Sequence, residues 1–416
     1  MIIDSKDYSG ICICGQNHKM ETEFCIIECG CMKKFDLYTE KYGLKGTCVA
    51  IYDSNTYKIS DTIHPRATKE IILPAENLHA NERGVELAMR EIPENCDYLI
   101  AFGSGTIHDI TRYCAYLLGI PFVSCPTAAS VDGFCSSVAA MTWEGCKKTL
   151  TAVSPKIVIA DLNIIANAPA RLTKSGFGDM IGKYIALADW RISSILTNEY
   201  FCSKIHDMTL EAATAVVEST DGISKGDTSS YEKLTYGLLI SGLAMQLLGN
   251  SRCASGSEHH ISHIIEMQPD FLTTYSSNAL HGEKVGVGTL MACREYHRLA
   301  SLRNVSFSDY PSITTEYINE IFGPTLGASI VCENRNDCAA DITSALLEEK
   351  WNDICNVISQ IPHFDNLLEK YSAIGALSTL SDISLPEFLS DKLLDYSPLV
   401  RNRVTLMRLR RAIKHS

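Results

Sequence analysis

The chain has 416 residues, 46% of them hydrophobic, 21% charged and 8% aromatic. At roughly 100–200 residues per domain it is a globular chain of two or three domains, able to bury a large core without disulfide staples. Its 37 Lys and Arg against 49 Asp and Glu give a net charge of −12, which repels phosphates and excludes nucleic acid as a bulk electrostatic partner, although a local basic pocket stays open.

No apolar stretch of about 18 residues runs free of charge, so no membrane insertion is expected. The start, MIIDSKDYSGICICG, has early acids and no long apolar run, which reads as lacking a secretory signal and gives a cytoplasmic expectation. The 17 cysteines are odd in number and scattered, which favours reduced thiols packed as small apolar groups over disulfides. One dense patch holds Cys12, Cys14, His18, Cys25, Cys29 and Cys31. Its Cys-x-Cys-Gly-x-x-His reads either as a metal knuckle or as ordinary thiols, since it lacks the C-x2-C spacing of structural zinc sites.

The first half alternates strands and helices. Residues 47–53 (TCVAIYD), 70–74 (EIILP), 98–102 (YLIAF), 121–126 (PFVSCP) and 156–161 (KIVIAD) are short apolar runs, with helices over 81–92 and from the turn after Gly103 to about Gly119. Such alternation predicts a parallel sheet covered on both faces by helices. From about residue 169 the texture becomes helical over 171–225, 230–250, 254–268 and 282–303, and again in the tail 343–416. Leu238, Leu239, Ser241, Gly242, Ala244, Met245 and Leu248 mark a small, tightly packing helix. The basic end, RNRVTLMRLRRAIK, reads as a solvated helix face with cations near its C-terminal dipole, or as a nucleic-acid arm. The texture change sets an α/β domain over 1–166 and an all-α domain over 167–416.

In YLIAFGSGTIHDITRY a strand turns into a helix through Gly103 and Gly105. Glycines allow close backbone approach and positive φ, and the N–H groups of Ser104, Gly105, Thr106 and Ile107 form a helix N-terminus suited to a pyrophosphate. The pattern lacks the third glycine of the dinucleotide fingerprint, so a plain strand-to-helix connector stands beside that reading. The next strand leaves at Pro126 into Thr127, Ala128, Ala129 and Ser130, small and hydroxylated residues at the carboxyl end of a strand, where open sheets bind ligands. Asp132 is a turn or helix cap, or a hydrogen-bonding group for substrate hydroxyls. Asp53 is a surface turn or the holder of an adenosine ribose, in which case it disfavours a 2′-phosphate.

Three later segments carry metal-ligand types: SGFGDMIGKY with Asp179, SGSEHHISHIIEM with His259, His260 and His263, and NALHGEKVGVG with His281. His259 and His263 share a helical face, and His260 points about 100° away. One Asp and two His suit a divalent cation with open positions, and such a cation beside a nicotinamide would polarise a carbonyl.

The blocks CICGQNH, GSGTIHDITRY, PTAASVDGFCSSVAAM, PKIVIADLNIIANAPARLTKSGFGDMIGKY, SGSEHHISHIIEM, LHGEKVGVGTL and VRNRVTLMRL together resemble the bacterial branch of the glycerol-1-phosphate dehydrogenase family. That family lies within the wider group of iron-containing alcohol dehydrogenases and dehydroquinate synthases. The resemblance implies an N-terminal Rossmann-like domain, an all-α C-terminal domain and an active site in the interdomain cleft. It implies that Gly103, Ser104, Gly105, Thr106 and Ile107 wrap the pyrophosphate of NAD(P)H, and that Thr127, Ala128, Ala129, Ser130 and Ser136 contact the cofactor. It further implies that Asp132 binds substrate, that Asp179, His259 and His281 hold one divalent metal (nickel or zinc, with iron possible in the wider group), and that His263 touches substrate or its proton path. His260 matches no ligand position. Ser104 and Thr106 stand where many relatives carry Gly and Ser, and the stretch from about 305 is longer than in archaeal members.

The implied reaction is NAD(P)H-dependent, metal-assisted reduction of dihydroxyacetone phosphate to sn-glycerol 1-phosphate, by a homodimer. Lys148, Lys156, Lys183 and Arg252 are candidates for the substrate phosphate by proximity in sequence. The rivals are a glycerol or polyol dehydrogenase of the same fold, which needs no phosphate pocket, and a dehydroquinate synthase-like lyase, which needs more Lys, Arg and Asn than SRCASGSE offers before His259.

Overall fold

A computed structural model describes residues 1–59, 64–143 and 146–415; Ser416, the last residue of the tail, lies outside them. Seven strands form one sheet: β1 Ile2–Asp4, β2 Phe24–Glu28, β3 Cys48–Asp53, β4 Lys69–Leu73, β5 Tyr98–Gly103, β6 Phe122–Pro126 and β7 Ile157–Asp161. Their order is β1-β2-β7-β6-β5-β3-β4. All neighbours are parallel except the edge pair β1–β2. The five strands β3 to β7 thus follow the doubly wound order 2-1-3-4-5, whose switch point lies between β3 and β5, the place where such sheets bind ligands.

Buried parallel strands need both faces apolar, and these have them. Ala50, Tyr52, Ile100, Phe102, Val123 and Ile159 pack on one face with Phe24, Met32 and Phe35. Val49, Ile51, Leu99, Ala101 and Phe122 pack on the other with Val85, Ile107 and Ile110. The sequence reading found β3 to β7 but not β1 or β2, nor the antiparallel hairpin Val138–Trp143 with Cys146–Thr151.

The chain divides into two compact units, Met1–Gly176 with Thr214–Asn250, and Phe177–Ala213 with Ser251–Ser416. A single cut at 166/167 differs from this division chiefly in Thr214–Asn250, which packs with the sheet unit. That return carries the helix Thr228–Leu248, capped by Asp227, whose side chain accepts from the Ser230 N–H. The helix needs glycine at 242, where it lies against the turn after β6: an added Cβ would stand 2.7 Å from the Asp132 carbonyl oxygen.

The second unit contains Lys183–Thr197, Ser257–Met267, His281–Ala300, Thr315–Glu333, Ser344–Ile358, Phe364–Ile374 and Ser390–Tyr396 as helices. The helix Thr315–Glu333 breaks at Gly323, which has φ 70° and is followed by Pro324. The basic end is not one helix: Leu406–Leu409 is a single turn, Arg410–Ala412 is 3₁₀, and Ile413–His415 is a strand paired with Val305–Phe307. Nor is it a solvated face. The Arg408 side chain is fully buried and donates to the carbonyls of Pro398 (2.9 Å) and Arg401 (3.2 Å), to Asn334 Oδ1 (2.8 Å) and to Asp337 Oδ1 (2.8 Å). A buried guanidinium needs that many acceptors, and non-helical turns supply the carbonyls. No disulfide joins the described cysteines, and no helix among the described residues is long and apolar enough to cross a membrane.

Candidate active site

In the sheet unit, β5 ends at Gly103 and the helix Gly105–Leu118 begins at once, with Ser104 as N-cap and no side chain capping it. The first-turn N–H groups are left to an incoming acceptor, the usual condition for an anion at a helix start. Neither Gly103 nor Gly105 has positive φ, contrary to one reason given for them in the sequence. Gly103 is required by crowding instead, since a Cβ there would lie 2.6 Å from the Ile107 Cβ. His108 in the next turn bonds the Ser104 carbonyl (3.0 Å) and the Ser124 hydroxyl (2.8 Å). Burial, with Arg112 beside it, pushes His108 down to about 3, so it stays neutral.

Thr127, Ala128, Ala129 and Ser130 follow β6 and are all buried. The Ser130 carbonyl accepts from Ser175 Oγ at 3.2 Å. Asp132 opens the 3₁₀ turn Asp132–Cys135, and its carboxylate accepts from Ser241 Oγ at 2.8 Å. The Ser136 hydroxyl donates to the Val138 carbonyl (2.9 Å), closing its own turn. Asp53 forms a tight turn at the end of β3, its Oδ1 accepting from the N–H groups of Asn55 and Thr56, both at 2.8 Å. Arg112 was missed in the sequence. It is buried, pairs with Asp109 at 2.7 Å and donates to the Gly133, Phe134 and Val138 carbonyls, fixing the turn that carries Asp132.

In the helical unit, Asp179, His259 and His281 bring one ligand atom each within 4.8 Å of one another. Glycine makes this possible, because the three helices that carry them cross at contact distance. A Cβ on Gly178 would stand 2.3 Å from the Gly282 carbonyl oxygen, and one on Gly288 would stand 2.7 Å from the Glu258 carbonyl oxygen. His259 Nε2 lies 3.6 Å from Asp179 Oδ1. Its Nδ1 donates to Glu258 Oε1 at 2.6 Å, which fixes the tautomer and leaves the Nε2 lone pair facing the carboxylate. His281 Nδ1 is held the same way by Glu266 Oε1 at 3.3 Å, which Lys284 Nζ also contacts at 3.3 Å. Among the described residues, then, a carboxylate and two oriented imidazoles converge, each imidazole backed by a second carboxylate. That donor set fits a divalent cation with open positions.

The electrostatics agree. Burial alone would raise Asp179, but the Lys183 ammonium, 2.9 Å from Oδ1, and the neighbouring His259 and His281 hold it well below the usual carboxylate range. Burial likewise opposes ionisation of Glu266, and the hydrogen bond from His281 with the Lys284 ammonium beside it outweighs that. His263 is half-buried, its ring 6.1 Å from His259 and 6.3 Å from His281. Burial and the charge of Arg401 keep it neutral, outweighing Glu266. His260 is buried on another face, with neither ring nitrogen hydrogen-bonded among the described residues.

Of the phosphate candidates, Lys183 is taken by Asp179 and the Ala254 carbonyl. Arg252 pairs with Glu199 (2.8 Å) and Lys156 with Glu23 (2.6 Å). Lys148 sits exposed on the hairpin strand Cys146–Thr151. Sequence reasoning missed Arg401 and Arg403. Arg403 is pushed down to about 10 by burial and by the charges of Arg252 and Arg401, which Glu199 and Glu333 oppose.

A doubly wound α/β unit with an uncapped helix at its switch point, joined to a helical unit with a buried Asp–His–His cluster, defines the class: a two-unit protein with a candidate cation centre. Residues 26–169 match the iron-containing alcohol dehydrogenase family. The glycerol-1-phosphate dehydrogenase (NAD(P)+) of Geobacillus thermodenitrificans is 42% identical over 224 residues, 54% of this chain and 55% of that protein, so the match spans little more than half its length. The Bacillus licheniformis protein of that name is 38% identical over 301 residues, 70% of this chain and 74% of its own. That of Halalkalibacterium halodurans is 29% identical over 418 residues, 98% of this chain and 97% of its own. Among solved structures, sulfoacetaldehyde reductase from Bifidobacterium kashiwanohense in complex with NAD+ aligns with TM-score 0.60 at 15% identity, covering 94% of this chain and 95% of that one, a likeness of fold alone. The chain belongs to the iron-containing alcohol dehydrogenase family, in its glycerol-1-phosphate dehydrogenase group.

Proposed function

We propose that this protein reduces dihydroxyacetone phosphate to sn-glycerol 1-phosphate with NAD(P)H and one divalent metal, nickel or zinc by preference and iron as the alternative. The observation that carries the reading is the Asp179–His259–His281 cluster, two of its members buried and His281 half-buried, with its carboxylate-backed imidazoles, taken with the names of the relatives above. When bound, the cation supplies polarisation of the ketone oxygen and the reduced nicotinamide supplies the hydride.

The chain's own residues do the rest. Asp179 stays ionised and lowers the charge of the centre it helps to hold. Glu258 and Glu266 fix the ring orientations of His259 and His281. His263 faces the same space and passes a proton toward the substrate oxygen. In the sheet unit, Gly103, Ser104, Gly105, Thr106 and Ile107 receive the cofactor pyrophosphate, and the segment Thr127, Ala128, Ala129 and Ser130 with Ser136 lies along the cofactor. Asp132, oriented by Ser241, accepts from a substrate hydroxyl. The substrate phosphate is met by Arg401, whose charge acts on His263. The working form is a cytoplasmic homodimer.

The test follows NADH absorbance with dihydroxyacetone phosphate and with unphosphorylated dihydroxyacetone, each with nickel, zinc, iron or a chelator. Turnover of the phosphorylated ketone alone, lost with chelator and in His259→Ala, with chiral analysis giving the sn-1 product, supports the proposal. Equal turnover of the unphosphorylated ketone makes the protein a polyol dehydrogenase. Sedimentation tests the dimer.

A further inference from the structure

The segment that opens the chain is built in a way the proposed reaction does not use. Strands Gly10–Ile11 and Asn17–His18 pair in register Gly10↔His18 and Ile11↔Asn17. The turn between them is closed by Cys12 N–H to the Gln16 carbonyl and Gly15 N–H to the Cys12 carbonyl, both 2.9 Å. It relies on positive φ at Gly15 (85°), a conformation that costs glycine little.

Alternation along this turn is inverted. Ile11 is 91% and Ile13 93% exposed, while Cys12 is 8% and His18 6% exposed, with Cys14 half-buried. A buried thiol is ordinary, but hydrophobic burial alone would also tuck in the two larger isoleucines and would not favour the imidazole over them. The turn thus leaves two isoleucine side chains in water and brings two thiols and an imidazole together.

The ligand atoms of Cys12, Cys14 and His18 lie within 4.8 Å of one another. Cys14 Sγ is 3.3 Å from His18 Nε2. Ligands of a tetrahedral zinc ion, with Zn–S of about 2.3 Å and Zn–N of about 2.0–2.1 Å, stand about 3.5 Å apart. His18 Nδ1 donates to the Leu247 carbonyl oxygen at 2.8 Å. A carbonyl only accepts, so Nδ1 carries the proton and the Nε2 lone pair is turned toward the sulfur atoms. This is the backbone-carbonyl support that metal-bound histidines commonly have. Cys25, Cys29 and Cys31 take no part: Cys25 lies in β2 and Cys31 opens a 3₁₀ turn, both buried, and Cys29 is exposed.

We propose that Cys12, Cys14 and His18 hold a structural zinc ion that pins the N-terminal hairpin to the helix Thr228–Leu248 through His18 and Leu247. Two thiolates and an imidazole are a soft donor set that favours zinc over magnesium or calcium, and a further thiolate or a water completes four-coordination. Binding releases the two thiol protons to solvent. This site is separate in donor chemistry from the Asp179 cluster and does not depend on the proposed reaction.

The test is made on the full chain, purified without a metal-binding tag, by elemental analysis and by cobalt substitution. Cobalt bound by thiolates gives a near-ultraviolet charge-transfer band that a carboxylate–imidazole centre does not give. The expected result is that band in the wild-type protein, its loss in Cys12→Ser/Cys14→Ser, and one fewer zinc per chain in that variant. His259→Ala should keep the band. A wild-type cobalt protein with no thiolate band, or equal zinc content in wild type and the double variant, overturns the proposal. The wild-type spectrum decides even if the variant fails to fold. A wild-type protein that shows the band but does not turn over dihydroxyacetone phosphate counts against the proposed reaction alone.

Discussion

Gly178→Ala is the perturbation that most directly tests how the Asp–His–His cluster is assembled. The new methyl would sit 2.3 Å from the Gly282 carbonyl oxygen and 3.3 Å from the Gly286 Cα. Carbon and carbonyl oxygen normally meet no closer than about 3.3 Å, so the helix His281–Ala300 must recede by about 1 Å from the helix carrying Asp179. Metal sites tolerate ligand displacements of about 0.2 Å. His281 is bonded to Gly282 and Asp179 to Gly178, so the displacement falls directly on the ligand pair. Overpacking of this kind costs about 1–3 kcal/mol of stability. Metal affinity should fall by about 10–100-fold or more, the effect of disturbing the groups that support metal ligands. Competition of the metal-free variant against a chromophoric chelator measures that affinity, and thermal unfolding measures the packing cost. A variant that loses stability but binds nickel or zinc as the wild type does would refute the argument that this helix crossing sets the ligand spacing.

Three further outcomes follow from the same geometry. Gly103→Ala places a Cβ 2.6 Å from that of Ile107 and should raise the NADH KM about tenfold, since a charge-assisted hydrogen bond is worth about 1.5–3 kcal/mol; fluorescence titration with NADH checks it, and an unchanged KM removes this turn from the cofactor site. Arg401→Ala should raise the KM for dihydroxyacetone phosphate about 10-fold or more on the same reckoning and leave dihydroxyacetone unaffected; an equal loss with both ketones assigns Arg401 a structural role. Asp189 accepts from Tyr296 Oη (2.6 Å), Leu406 N (2.8 Å) and Ser257 N (2.8 Å), yet burial pushes it up to about 6. With an unfolded value near about 3.9, the folded state holds its proton more tightly, so stability falls as pH rises from about 4 to about 6, by about 3 kcal/mol at 1.36 kcal/mol per unit. Asp189→Asn removes that slope, and its stability deficit should be smaller at neutral pH than at pH near 4; denaturant unfolding at both pH values shows whether it is.

The parts of the fold that could be read from sequence are those where one local pattern decides. Strands β3, β5, β6 and β7 are short apolar runs buried on both faces, and nothing competes with that reading. β2 (FCIIE) was obscured because its cysteine reads as part of a dense cysteine patch. Asp179, His259 and His281 stood out by side-chain chemistry, and the structure brings them together. Glu258 and Glu266 did not, because a carboxylate on a helix has the same appearance whether it faces water or a histidine. Lys183 stood only as one candidate for the substrate phosphate for the same reason, and its ammonium lies against Asp179. The C-terminal arginines read as a solvated face because their acceptors, the Pro398 and Arg401 carbonyls, come from a turn that has no periodicity. The return of Thr214–Asn250 to the sheet unit is a tertiary choice between two helical neighbours, which helix propensity does not encode.

The burial of Arg408 has a consequence for the order of events during synthesis. Asp179, His259 and His281 leave the ribosome well before the residues around Arg408, which tie Asn334, Asp337 and the Pro398 turn together. Nascent chains fold in the order in which domains emerge. A unit closed by residues so far downstream therefore keeps its ligand-bearing helices unfinished until the residues around Arg408 have been made. On the proposed reading, a chain arrested before Arg408 would present Asp179, His259 and His281 without the turns that Arg408 ties together, and its affinity for a divalent cation should fall with them.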